Sequence, residues 1–279
     1  MKSIFTKKMI FVFLNLFFVA SFAFAANAAT IIFNDFSDVS SLQLNGDAGG
    51  VDNVLRLTPE QSSKAGSAFY EQAISIDDYF STHFTFQIHG GGYNSGDRGD
   101  GFTFVLQSYK SEALGGGGGS LGYGGITSSI AVEFDTYYWN NNYDPHNYHV
   151  GIDVSGNVNS KTTAQVKYNK LYSYYSSVPD NPNRYAWIEY NNGELSVYLS
   201  NDENKPEEAT LSYELGDLNT YLDPNNVYVG FTAATGAAYE AHDIISWEFT
   251  YEPPAAVPLP GAIYLLGSSL LGLMVLRRK

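Results

Sequence analysis

Three carboxylates, a run of asparagines and the histidine His149 stand within 17 residues, from Glu133 to His149. In Val132-Glu133-Phe134-Asp135 the acids alternate with hydrophobes. On a strand this places both carboxylates on one face and Val132 and Phe134 on the other. Asp144 and His149 then return across a loop to the same point. Oxygen ligands with one imidazole suit a hard cation such as Ca²⁺ beside a borderline one such as Mn²⁺. The plainer alternative is a solvated acidic strand and loop with a surface histidine. An isolated Glu-x-Asp would favour that alternative, whereas Asp144 and His149 at this spacing favour metal.

The elements that must hold these residues read as strands. Short alternating segments recur at Thr30–Phe33, Ser81–Ile88, Gly101–Gln107, Ile130–Asp135, His149–Val154, Thr163–Tyr168, Tyr185–Tyr190, Leu195–Ser200, Val227–Ala233 and Ile244–Tyr251. Gly, Asn, Asp and Pro punctuate them, and no long helical period appears between the two chain ends. Many short strands with turn signals predict an all-β sandwich of two sheets packed face to face. The 22 Tyr, 18 Phe and 27 Gly residues suit strands and tight turns. With no cysteine there is no disulfide framework, so stability must come from the core of one large domain.

The formal charge of −14 understates the acidity of the middle of the chain. Six of the 15 basic residues (Lys2, Lys7, Lys8, Arg277, Arg278 and Lys279) lie in terminal segments without Asp or Glu. That leaves nine against 29 acids, a net charge of −20. Such a surface repels nucleic acid and anionic headgroups and tolerates divalent cations and neutral ligands. Nucleic-acid binding is excluded on this ground.

Several motifs in order resemble the legume-type (L-type) lectins. Val132–Tyr137 with Asp144-Pro145 and His149–Asp153 is similar to the family's metal loop. Asp100-Gly101-Phe102-Thr103-Phe104-Val105-Leu106 is similar to the strand that begins with a sugar-binding Asp, and Gly118-Gly119-Ser120-Leu121-Gly122 to its glycine loop. Val229-Gly230-Phe231-Thr232-Ala233-Ala234-Thr235-Gly236, running on to Ile245-Ser246-Trp247-Glu248-Phe249, is similar to its last strands. Weaker matches at Leu42–Gly46, Val54–Thr58, Gly66–Tyr70 and Trp187–Tyr190 fill the gaps, so the resemblance covers roughly residues 30–250. It implies a concanavalin-like jelly roll of two antiparallel sheets and non-catalytic binding of glycans or exopolysaccharide. Family members pair through sheet edges, which leaves a homo-oligomer possible, but those edges are not marked in the sequence.

The resemblance also implies a site. Glu133, Asp135, Asp144 and His149 would hold Mn²⁺ or another transition metal. Asp135 and Asp144 would bridge to Ca²⁺, which also takes the Tyr137 carbonyl and an Asn side chain. The chain departs from the family here, because the usual Asn position is Trp139. A small bulge would bring Asn140 into place, with Asn142 as the second choice. Asp100 would accept hydrogen bonds from two sugar hydroxyls, and the family forms a cis peptide before it, normally after Ala; here Gly99 precedes. Gly119 would offer a backbone N–H to the sugar, unless the run Gly115–Gly119 is a flexible loop. Tyr137, Tyr138 or Trp139 would stack on the ring. The loop containing Ala237 and Ala238 stands where the family sets sugar choice, the alternative being a plain hairpin loop. His83, His89, His146 and His242 read as surface residues, His146 also as a possible stray ligand.

Both ends read as targeting segments, giving boundaries of 1–28 for a signal peptide, 29–252 for the lectin-like domain and 253–279 for a sorting or anchor segment. Lys2, Lys7 and Lys8 precede an apolar run, and Ala26-Asn27-Ala28 is an A-x-A cleavage site, with Ala23-Phe24-Ala25 as the alternative. An uncleaved anchor helix is the other reading. At the other end a Pro253-Pro254 linker and Val257-Pro258-Leu259-Pro260 precede an apolar stretch, Gly261 to Leu276, and a basic tail. A helix of that stretch spans ~24 Å, slightly short of a ~30 Å hydrocarbon core. This layout resembles the PEP-CTERM sorting signal of Gram-negative bacteria. It implies an exosortase-type processing partner and export to the cell surface or extracellular matrix, with a membrane anchor that is transient or permanent. An ordinary single-span anchor is the alternative.

Two other functions are compatible with parts of the sequence. Related jelly rolls include β-glucanases with Glu-x-Asp-x-x-Glu, which need a carboxylate pair ~5 Å apart, but position 138 here is Tyr. A structural matrix or adhesion protein with a degenerate sugar site would fit the Trp139 and Gly99 departures.

Overall fold

Phe84, Phe86, Phe102, Phe104, Phe134 and Phe231 are each at most 1% exposed, and they meet in one aromatic cluster between two sheets. Phe102 stacks on Phe134 with centroids 4.7 Å apart, and Phe84 meets Phe231 edge-on at 5.1 Å. The alternation seen in the sequence is what supplies this cluster, because every second residue of the central strands points inward. The structure, a computed structural model, describes residues 27–92, 98–138, 146–172 and 182–254. The proposed signal peptide and C-terminal segment therefore lie almost entirely outside the described residues. Among the described residues no helix is long and apolar enough to cross a membrane.

The back sheet runs in the order β13 (Leu211–Glu214), β12 (Glu194–Ser200), β11 (Arg184–Asn191), β6 (Tyr79–Gly92), β15 (Tyr239–Tyr251), β4 (Val54–Thr58) and β3 (Gly49–Val51). A further strand, β1 (Ala29–Phe33), pairs with the last part of β15, while β4 pairs with an earlier part. The front sheet runs β10 (Asn157–Gln165), β9 (His149–Val154), β8 (Ser129–Asp135), β7 (Gly101–Gln107), β14 (Tyr228–Ala234), β5 (Ala65–Tyr70) and β2 (Leu42–Gly46). Neighbouring strands are antiparallel in both sheets, as the jelly-roll expectation requires.

Strands β7 and β9 match their predicted limits, and nearby elements differ by a few residues. The exception is the segment predicted at Thr163–Tyr168. Strand β10 begins earlier, at Asn157, and stops at Gln165, and Tyr168 opens a four-residue helix, α1 (Tyr168–Leu171). Strands β2, β4 and β5 fall on the weaker family matches rather than on the alternating segments, and the short strands β3 and β13 fall on neither.

Candidate functional site

Glu133 and Asp135 leave β8 on the face opposite Phe134, as the alternation predicts. The pairing of β8 with β9 sets Asp135 directly across from His149 and Glu133 across from Gly151. The ligand-capable atoms of Glu133, Asp135 and His149 all lie within 4.8 Å of one another, and all three residues are buried. His149 Nε2 is 3.0 Å from Glu133 Oε1, and His149 Nδ1 is 2.8 Å from the carbonyl of His146, a contact that orients the ring. Two carboxylates and an imidazole buried at this spacing fit a divalent cation, since that much negative charge out of water needs a counter-charge. Asn140, Asn142, Trp139 and Asp144 lie outside the described residues. Tyr137 donates its N–H to Asp135 Oδ1 at 2.8 Å, which fixes the turn leaving the strand.

Sequence reasoning assigned no role to two neighbours. The Ser160 hydroxyl on β10 sits between two acids, with its Oγ 2.5 Å from Glu133 Oε1 and 2.7 Å from Asp153 Oδ1. Asp153 is fully buried. Burial, followed by the adjacent Glu133 charge, holds its carboxyl well above the usual carboxylate range, against the hydrogen bond from Ser160. Asp153 is visible in the sequence as part of the same acidic stretch. Ser160 becomes visible only once β10 is folded back beside β9.

Asp100 stands at the head of β7, between β8 and β14. Its N–H donates to the carbonyl of Ala234 at 3.1 Å, and its carbonyl accepts from the N–H of Thr136 at 3.0 Å. The Gly99–Asp100 peptide is cis, as the resemblance implies. The Asp100 carboxylate faces bare backbone. A Cβ built on Gly236 would lie 3.1 Å from Oδ2, and one on Gly119 would lie 3.9 Å from Oδ1. At Gly236 a side chain would crowd the acid, whereas at Gly119 the contact would be an ordinary one. The glycine run is not a loose loop. Gly115 N–H donates to Gly122 O at 2.6 Å, Gly116 N–H to Gly124 O at 3.0 Å, and Thr232 of β14 donates to Leu121 O at 2.8 Å.

These pieces open into one cleft of about 400 Å³. Asp100, Gly119, Tyr137, Ala237 and Ala238, all predicted for sugar contact, line it together with Glu133, Asp135 and His149. Gly117, Gly118, Ser120, Gly236, Val158 and Asn159 also line it. The first four are neighbours of predicted residues. Val158 and Asn159, on β10, carried no signal in the sequence. Tyr138, one of the candidate stacking rings, is 41% exposed.

The histidine expectations need one correction. His242 is not a surface residue: it is fully buried on β15, with Nδ1 2.6 Å from Thr58 Oγ1 and Nε2 3.2 Å from Glu240 Oε1. Its partner Thr58 lies 184 residues away, so nothing local in the sequence marks it as interior. His89 is partly exposed and pairs with Asp243 at 2.9 Å. His83 is partly buried and stacks on Trp187 at 4.8 Å, and burial lowers its pKa. The His146 side chain is partly exposed, and its backbone carbonyl contacts His149.

A two-sheet sandwich whose central strands end in an acidic, histidine-containing cluster beside a glycine-walled cleft defines a lectin-type carbohydrate-binding fold. The legume lectin domain profile matches residues 28–259, and the chain belongs to that family. A lectin of Pisum sativum is 32% identical over 86% of this chain and 90% of its own length. Among solved structures, the lectin of Bauhinia forficata in complex with GalNAc is 26% identical with a TM-score of 0.66, covering 80% of this chain and 98% of that one. Lectin I of Ulex europaeus, in complex with the methyl glycoside of α-L-fucose, is 27% identical with a TM-score of 0.66, covering 80% and 97%.

Proposed function

We propose that the protein is a metal-dependent, non-catalytic lectin that binds neutral glycans or exopolysaccharide in the cleft at Asp100. The observation that carries this reading is the meeting of Asp100, the ordered glycine loop, the Ala237–Ala238 loop and the Glu133–Asp135–His149 cluster in one cleft. Asp100 accepts hydrogen bonds from two adjacent sugar hydroxyls, a charge-assisted geometry. Gly119 offers its backbone, Tyr137 or Tyr138 offers a ring face, and residues 236–238 form the wall that discriminates between sugars.

Glu133, Asp135 and His149 would hold a transition metal such as Mn²⁺, with Asp144 as the fourth ligand. Asp135, Asp144, the Tyr137 carbonyl and Asn140 would hold Ca²⁺. When bound, the ions neutralise the buried acids and stiffen the loop after β8. The cluster is read as structural rather than hydrolytic, because Tyr138 stands where a second catalytic glutamate would be needed. Export, surface display and processing of the C-terminal segment by an exosortase-type enzyme belong to the same reading and rest on the terminal sequences alone.

The test is binding of residues 29–252 to a glycan array in Ca²⁺ and Mn²⁺ and again in EDTA. The panel includes GalNAc, L-fucose, galactose and mannose. Binding that EDTA removes, and that Asp100→Ala abolishes while the fold survives, is the expected outcome. Asp100→Ala binding at the wild-type level would sink the site assignment. Silence in both buffers would favour a matrix or adhesion role with a degenerate site, for which Trp139 in the asparagine position is the motivating residue.

A further inference from the structure

One wall of the cleft bridges the two sheets: the 236–238 loop leaves β14 of the front sheet and enters β15 of the back sheet. Asp100 and the metal cluster belong to the front sheet. The 236–238 segment leads into β15 of the back sheet, with Glu240 two residues after Ala238. The β14 end of this loop is already tied to Asp100, whose N–H donates to Ala234 O at 3.1 Å; the β15 end enters a largely apolar interior and needs a directional contact of its own. Glu240 supplies one. It is fully buried, as is His242, and Thr136 is 3% exposed.

Thr136, immediately after the metal-cluster residue Asp135, uses both its polar groups on the head of β7. Its N–H donates to Asp100 O at 3.0 Å, and its hydroxyl lies 3.2 Å from the same oxygen. The hydroxyl also donates to Glu240 Oε1. The same carboxylate oxygen contacts His242 Nε2 at 3.2 Å, and His242 Nδ1 reaches Thr58 on β4. A continuous polar path thus crosses the sandwich, from Thr58 through His242 and Glu240 to Thr136 and the carbonyl of Asp100.

Glu240 Oε2 finds no protein partner among the described residues. A buried acid with an unsatisfied oxygen is a poor choice for packing alone. What such a group contributes is a fixed geometry.

We propose that Glu240 is a positioning residue of the sugar cleft: by gripping Thr136 it fixes the 236–238 wall against Asp100, without touching ligand itself. The inference rests on the sugar-binding reading of the cleft. It predicts that loosening the grip weakens sugar binding while the metal cluster stays intact.

The test uses the full chain, purified in mild detergent and loaded with Ca²⁺ and Mn²⁺, with variants Thr136→Val, Glu240→Ala and Glu240→Gln. Two readouts are taken: affinity for GalNAc, L-fucose, galactose and mannose beads, and amide hydrogen exchange of the peptides covering 98–104, 134–138 and 234–242. Thr136→Val and Glu240→Ala are expected to weaken the sugar that wild type binds by tenfold or more. Exchange in those three peptides should rise about tenfold, with Mn²⁺ content unchanged. Glu240→Gln keeps an acceptor for Thr136 and is expected to rescue both readouts to within about threefold.

A purely packing role predicts something else: a lower melting temperature, unchanged affinity of the folded fraction, and exchange raised throughout the back sheet. Thr136→Val with wild-type affinity and wild-type exchange would overturn the proposal. If wild type binds none of the four sugars, the sugar reading fails on its own. The exchange data then still decide whether Glu240 ties the 236–238 wall to Asp100.

Discussion

A side chain at residue 151 would collide with Glu133 Oε1 and Ser160 Oγ, because β9 carries Gly151 directly beneath the Glu133 carboxylate. Gly151→Ala should therefore push Glu133 out of line with Asp135 and His149. By analogy with other groups that orient metal ligands, Mn²⁺ affinity should fall about 10- to 100-fold, measurable by titration calorimetry on a protein with unchanged circular dichroism. Gly99 plays a related part in the cleft. A Cβ there would lie 2.8 Å from Tyr137 Cβ and 3.1 Å from its ring. Restoring the family's usual residue by Gly99→Ala should displace the Tyr137 ring and weaken sugar binding about tenfold, read on the glycan array, with Ca²⁺ binding retained. Both glycines stand in stretches that the sequence marks as important, but their reasons were not legible there. The role of Gly151 depends on strand register, and that of Gly99 on which ring packs against it.

At the scale of elements, the strands with clean alternation were legible because one face of each is core. Val132 and Phe134 bury themselves and thereby aim Glu133 and Asp135 at the site. Strand β3 has three residues and β13 four, too few for a period to show. The polar contacts between strands were hidden for a different reason. Glu240, His242 and Asp243 follow one another on β15, yet they meet partners on three other elements.

Asp243 shows the consequence. Burial alone would raise its pKa, but the paired hydrogen bonds from Arg56 on β4 and the contact with His89 on β6 bring it below the ordinary carboxylate value. A carboxyl with a depressed folded pKa stabilises the protein above its unfolded value, near ~3.9. That contribution is lost as pH falls through the folded value. Asp243→Asn should thus cost about 2 kcal/mol at pH 7, as expected for hydrogen bonds to a charged group. The gap from wild type should be smaller at a pH well under the unfolded value of ~3.9 than at pH 7. Urea melts at the two pH values check it, and a gap that stayed constant would count against the pairing. Within the core, Phe134→Ala should cost about 3–5 kcal/mol by leaving a cavity among the rings of Phe84, Phe86 and Phe102.

For the whole molecule, the net charge of −20 between the terminal segments sets the response to ions. Cations that bind the folded state and not the unfolded chain add about 4 kcal/mol at a thousandfold excess over Kd. For a domain of this size that is about 10 °C in melting temperature. Scanning calorimetry with Ca²⁺ and Mn²⁺ and then with EDTA should show that difference, and identical transitions would argue against a metal-stabilised loop. The topology carries a separate consequence. Strand β15 is the seam of the back sheet: it joins β6 on one side to β4 and β1 on the other, and Ala29 pairs with Tyr251. A polypeptide halted before Tyr239 has β1 without a partner and the β4–β3 hairpin cut off from β6. During synthesis, the earliest strand must wait for nearly the last residues of the domain to leave the ribosome. Such long-range closure is slow and leaves strand edges open meanwhile. The direction of translation thus builds in an interval during which the two margins of the back sheet stay apart, however early the front sheet's strands have been made.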